Sequence, residues 1–129
     1  MTGMELMAKA EQALRSALVL LGAGDADGAC NRAYYAMFDA ARAALLAQGE
    51  SVGKTHRGVL IAFHARFVKG GLVSPEIGRQ IKHAESLRYF ADYETDSLLR
   101  EDAQEVVQQA EAFVAALRSL VLRGAQPPT

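Results

Sequence analysis

The sequence predicts an all-α, up-and-down helical bundle of about five helices. Two observations predict it. Apolar residues recur at helical spacing in five segments, each with its own start and stop signals, and no segment shows sustained strand alternation. At 129 residues the chain is read as one domain, which at this size buries roughly two-thirds of its unfolded surface.

The first helix is expected from about Met4 to Leu21, with Leu6, Ala10, Ala13, Leu14, Ala17, Leu18 and Leu21 on one side and Gly22 and Gly24 at its end. Asp25 or Asp27 caps the second, which runs to about Gln48, and Gly49 stops it. The third starts near Thr55, carries Val59, Leu60, Phe63 and Phe67, and ends at Gly70-Gly71. Ser74-Pro75-Glu76 offers a cap and then proline at the first helical position, so a fourth helix is expected to reach about Phe90. The polar stretch from Ala91 to Leu98 reads as a loop. The last helix, about Leu99 to Leu122, carries Ala103, Val106, Val107, Ala110, Phe113, Val114, Leu117, Leu120 and Val121. No internal repeat or long linker divides the chain. Residues 1–123 read as one bundle and 124–129 as a tail that frays. Two long helices joined by a few residues form an antiparallel pair. The alanine-rich faces of helices 1, 2 and 5 permit close approach and would also support a dimer.

A formal net charge of −1 gives no support to nonspecific nucleic-acid binding, although it leaves room for a local basic patch. The single cysteine, Cys30, lies on an apolar helix face, has no internal disulfide partner, and suits a reducing compartment. The N-terminus lacks a basic segment followed by an apolar run, and no apolar stretch approaches the about 20 residues of a membrane span. A cytoplasmic protein with no membrane association is expected.

The segment Asn31 to Arg42 has two unlike faces. Cys30, Ala33, Tyr34, Met37, Phe38, Ala41 and Leu45 form a core stripe, whereas Arg32, Tyr35, Asp39 and Arg42 line the other side. A tyrosine among two arginines and an aspartate is unusual for a purely solvated face. The histidines, His56, His64 and His83, belong to no HExxH motif or Cys/His cluster, so no metal site is expected. Arg79 with His83 and Arg88 with Asp92 are each four apart and read equally as surface pairs. Lys54-Thr55-His56-Arg57 sets basic groups at a helix start, where either phosphate binding or ordinary capping would use them. In Leu87-Arg88-Tyr89-Phe90-Ala91-Asp92-Tyr93 the aromatics beside an arginine would stack on a nucleobase or pack the end of a bundle. The residues alone lead to a helical bundle with a polar site.

Taken together, the segments Ala29 to Phe38, Lys54-Thr55-His56, Phe67 to Leu72 and Leu87 to Tyr93 resemble the HEPN domain family, in particular its small stand-alone prokaryotic members. The resemblance spans about Met4 to Leu122. It implies a helical bundle, usually a homodimer, with an RNA- or nucleotide-related role. Many members are metal-independent ribonucleases, and others are toxins or partners of a minimal nucleotidyltransferase. Ribonuclease members carry an arginine, four to six residues, then a histidine. Here Arg88 occupies the expected region, but Tyr93, Glu94 and Thr95 stand at the permitted histidine positions. Arg57 and His64 satisfy the spacing in the wrong helix, and His83 follows Arg79 after only three residues.

The favoured expectation is a nucleotide- or RNA-associated interaction module, the partner of a minimal nucleotidyltransferase in a toxin–antitoxin-type system. The alternatives are a metal-independent ribonuclease with a divergent site and a purely structural bundle. Arg88, Tyr93 and His56 are the catalytic candidates. Arg32, Tyr35, Asp39 and Asp92 are the binding candidates, and no cofactor is expected. Arg32 and Arg88 would hold phosphate through paired guanidinium donors, with Asp39 and Asp92 orienting them. Tyr35 and Tyr93 would stack or donate hydrogen bonds, and His56 would exchange a proton near neutral pH.

Overall fold

A computed structural model describes residues 1–50, 53 and 55–124. Among them are five α-helices and no strand: α1 (Gly3–Gly22), α2 (Ala26–Ala47), α3 (His56–Phe63), α4 (Pro75–Tyr93) and α5 (Arg100–Gly124). The expected fold class stands. The start signal at Lys54 and residues 125–129 of the expected 124–129 tail lie outside the described residues, whereas Gly124 is the last residue of α5 and not part of a frayed tail.

The helix starts follow local chemistry. The Thr2 hydroxyl accepts from the Glu5 amide, Asp25 from Gly28 at 2.8 Å, and Thr55 from Gly58. Ser74 sits at the N-cap of α4 without a side-chain capping bond; the α4 start relies on Pro75. Gly49, at φ 81°, ends α2 in a backbone conformation that costs glycine no Cβ clash.

The helix α2 is the centre of the molecule. Cys30, Ala33, Tyr34, Met37, Phe38, Ala41 and Leu45 are buried, and so are Ala29, Ala36, Ala40, Ala43 and Ala44 on its other flanks. Small side chains let α1 lie close and antiparallel along it: a Cβ at Gly3 would stand 3.0 Å from the Ala43 carbonyl oxygen. The α2 alanines are therefore spent inside the protomer rather than left for a dimer. The buried face of α1 is Leu6, Met7, Ala10, Ala13 and Ala17, whereas Leu18, expected inside, is 43% exposed. The seam needs only one residue in three or four, so Leu18 falls on the outer flank beside Val19.

The helix α5 returns along the same pair. Arg100 donates to the Leu21 carbonyl at one end, Arg118 pairs with Glu11, and Gly124 reaches Ala47 at the other. Phe63 packs at 5.5 Å from both Phe67 and Phe113, joining the third helical segment to α5. That segment does not stay α-helical. From His64 to Val68 it widens into a π-helical turn, with the Lys69 amide donating to the His64 carbonyl. The His64 ring fills the disturbed turn, Nδ1 lying 2.8 Å from the Leu60 carbonyl and Nε2 3.2 Å from that of Gly78. Gly78 permits this contact, since a Cβ there would lie 2.9 Å from a Val68 methyl and 3.2 Å from His64 Nε2.

The helix α4 extends three residues beyond the expected end, to Tyr93. Asp92 and Tyr93 are therefore helical and not in the loop. Two contacts along its last turns explain the extension: Arg88 bridges to Asp92, and the Tyr89 and Tyr93 rings lie 4.4 Å apart. The following loop is pinned by Asp27, which accepts the Leu98 amide at 2.8 Å instead of capping α2.

Phe113 is fully buried against Phe63. Phe113→Ala is expected to cost about 3–5 kcal/mol. Urea unfolding would show a lower midpoint with an unchanged m-value, and an unchanged midpoint would contradict this packing.

Candidate functional site

The stripe left open on α2 is covered in part by α3 and α4, and polar side chains collect there. Tyr34 packs inward from α2, and its hydroxyl lies 3.1 Å from His56 Nδ1 at the start of α3. The His56 ring rests on Phe38 at 4.5 Å. From α4, the Arg88 guanidinium lies 4.9 Å from the Tyr34 ring centroid and 5.8 Å from that of Tyr35. Arg32 covers Tyr35 at 5.2 Å. Asp92 holds Arg88 at 3.0 Å, where the arginine side chain is only 17% exposed. The Nε of Arg88 is buried without a hydrogen-bond partner among the described residues. Ring stacking and a single carboxylate thus hold a cation that retains unused donor capacity.

Five of the seven candidates therefore meet: Arg32, Tyr35, His56, Arg88 and Asp92. Asp39 is half-buried one turn further along α2 and faces Arg42 at 3.9 Å rather than Arg32. Tyr93 is 69% exposed and packs on Tyr89, without an aromatic contact to the His56 cluster. The other sequence pairings rearrange too: Arg79 bonds Glu76, and His83 bonds Gln109 of α5. Tyr34, read from the sequence as core alone, is a hinge of the cluster. Glu85 was not singled out, yet it faces Tyr34 and His56 from α4. Its spacing to Arg88 and Asp92, three and then four residues, was the available signal.

The electrostatics follow from burial. Burial pushes the Tyr34 hydroxyl well above the usual tyrosine range, with the Glu85 carboxylate adding to it and Arg88 opposing, so Tyr34 remains protonated. Burial also lifts the Cys30 thiol to about 12, helped by Asp27 and Asp92, so it is an inert thiol and not a nucleophile at neutral pH. Burial raises the Asp39 carboxyl, against Arg42, Lys9 and Arg32. His56 is lowered by burial and by the Arg88 charge, against the pull of Glu85. It is held in the neutral form, with Nδ1 on Tyr34 and no hydrogen bond to Nε2 among the described residues. No group of three or more metal-ligating side chains occurs among the described residues.

The lowered His56 fixes the sign of a pH effect. The unfolded chain protonates this residue at about pH 6.5, whereas the folded chain does so only at lower pH. Stability linked to His56 is present above that range and lost as pH falls through the folded value. Unfolding curves from pH 7.5 to 5 are expected to show this loss in the parent chain and a smaller one in His56→Gln. Identical slopes would remove His56 from the account.

Comparison with known proteins agrees with this architecture. The HEPN domain model matches residues 4–120. A protein from Gloeobacter violaceus described as a "UPF0332 protein" is 38% identical, over 85% of this chain and 88% of its own. One from Methanocaldococcus jannaschii described as a "Putative toxin" is 37% identical, over 84% and 81%. Another "UPF0332 protein", from Thermotoga maritima, is 37% identical, over 88% and 86%. No described helix is long and apolar enough to cross a membrane. With a family match over most of its length and relatives above one-third identity, the chain belongs to the HEPN domain family.

Proposed function

We propose that this chain is the toxin-type HEPN component of a two-component system, acting by binding the phosphate of RNA or of a nucleotide at the Arg32–Tyr35–Arg88 cluster. The observation that carries this reading is the pair of guanidinium groups within 6 Å of one tyrosine ring, Arg32 at 5.2 Å and Arg88 at 5.8 Å. Two guanidiniums at one ring offer an anion two positive charges. Guanidinium matches phosphate oxygens in pairs, and the tyrosine faces suit a base or sugar. The toxin designation of the Methanocaldococcus relative supports the same direction. A minimal nucleotidyltransferase is the proposed partner. A homodimer is proposed through the exposed Tyr89, Phe90 and Tyr93, which form an apolar end of α4 beside the cluster.

A second reading, metal-independent RNA cleavage, is favoured by one observation. His56 is neutral, anchored through Nδ1 and free of a described partner at Nε2, which suits it to general acid–base work beside Arg88. The missing histidine after Arg88 ranks this reading second.

Arg88→Ala is expected to weaken binding of a fluorescent single-stranded RNA and of a fluorescent ADP about ten- to hundredfold, as removal of a charge-assisted phosphate contact does. Unchanged affinity with reduced stability would make Arg88 structural and overturn the proposal. Cleavage of the RNA in excess chelator, abolished by His56→Gln, would replace the first reading by the second.

A further inference from the structure

The outer side of the α1–α2 pair carries a groove of about 610 Å³, lined by Gln12, Arg15, Ser16, Val19, Leu20 and Arg32. Gln12, Arg15, Ser16 and Val19 follow one another at three, one and three residues and so share one face of α1. Among the described residues no acidic side chain lines the groove. Among the described residues neither arginine forms an ion pair. The one carboxylate within a turn of Arg15 is Glu11, and Arg118 of α5 takes it. Arg32 has no carboxylate three or four residues away in either direction, and it is turned onto Tyr35, which leads to Arg88. Two unpaired cations with an amide and a hydroxyl beside them therefore continue the charge of the Arg88 cluster onto α1.

We propose that this groove is a phosphate subsite for an RNA strand. A backbone phosphate sits between Arg15 and Arg32, with Gln12 and Ser16 donating to its oxygens. The next nucleotide passes over Tyr35 to Arg88, and Val19 and Leu20 line the groove beside the sugar. This rests on the reading of the Arg32–Arg88 cluster as a phosphate site and extends it: a mononucleotide occupies that cluster alone, whereas a strand continues past Arg32 to Arg15. Phosphate contacts of this kind fix a strand's path and make its affinity depend on salt.

The test measures anisotropy of a labelled twelve-nucleotide single-stranded RNA and of fluorescent ADP across a salt series. Arg15 is exposed, so Arg15→Ala should fold normally. It is expected to weaken RNA binding roughly tenfold and to lower the slope of log affinity against log salt by about 0.7, the value for one single-strand phosphate. ADP binding should not change, whereas Arg88→Ala should weaken both ligands. Parent affinity and slope for RNA in Arg15→Ala, with Arg88→Ala still impaired, would overturn the groove and leave the Arg88 reading intact. No RNA binding by the parent chain with ADP still bound would overturn the groove alone, and binding of neither ligand would overturn both. Equal loss of ADP binding in Arg15→Ala would make the groove part of a nucleotide site, not a strand path. Competition by polyglutamate as strong as by RNA would assign it to an acidic protein, and either result overturns the proposal.

Discussion

The enclosure of α2 is the constraint on which the rest depends. Its alanines draw α1 and α5 in until twelve of its residues are buried. Close packing of this kind leaves few voids and tolerates little added volume. One stripe remains, occupied by Arg32, Tyr35, Asp39 and Arg42, and the later helices must meet α2 across it. The polar cluster is a consequence of that geometry. Tyr34 lies at the border of core and stripe, so its ring packs inside while its hydroxyl reaches His56.

The same border decides the electrostatics. A guanidinium desolvated against two rings keeps its charge, because arginine does not deprotonate in proteins. The neutral groups around Arg88 adjust instead: His56 stays unprotonated and Tyr34 stays protonated. Asp92 offsets part of the charge from the same helix face. Glu85 faces the cluster from the same helix as Asp92, and Arg32 adds a second guanidinium at the open side.

Much of this was legible in the sequence, because helical periodicity reports on burial directly. The core stripe of α2 and the buried positions of α3 and α5 lie where spacing places them. The start signals worked for the same reason: a cap is a contact over three residues. What periodicity does not encode is contact between distant segments. Tyr34 and His56 are 22 residues apart, and nothing local marks them as partners. The end of α4 was missed because its polar last turn looks like a loop until the Arg88–Asp92 bridge and the Tyr89–Tyr93 contact are seen. The π-helical turn at His64 depends on Gly78 of another helix, and so has no local signature either.

The central claim is that anions engage the chain where Arg32 and Arg88 share Tyr35. Side-chain Nε–Hε resonances of the arginines, followed by NMR during titration with single-stranded RNA, test it most directly. The account predicts saturable shifts at Arg32 and Arg88, with little change at Arg79 or Arg123. Shifts absent from both cluster arginines, or strongest at the distant surface arginines, would contradict it.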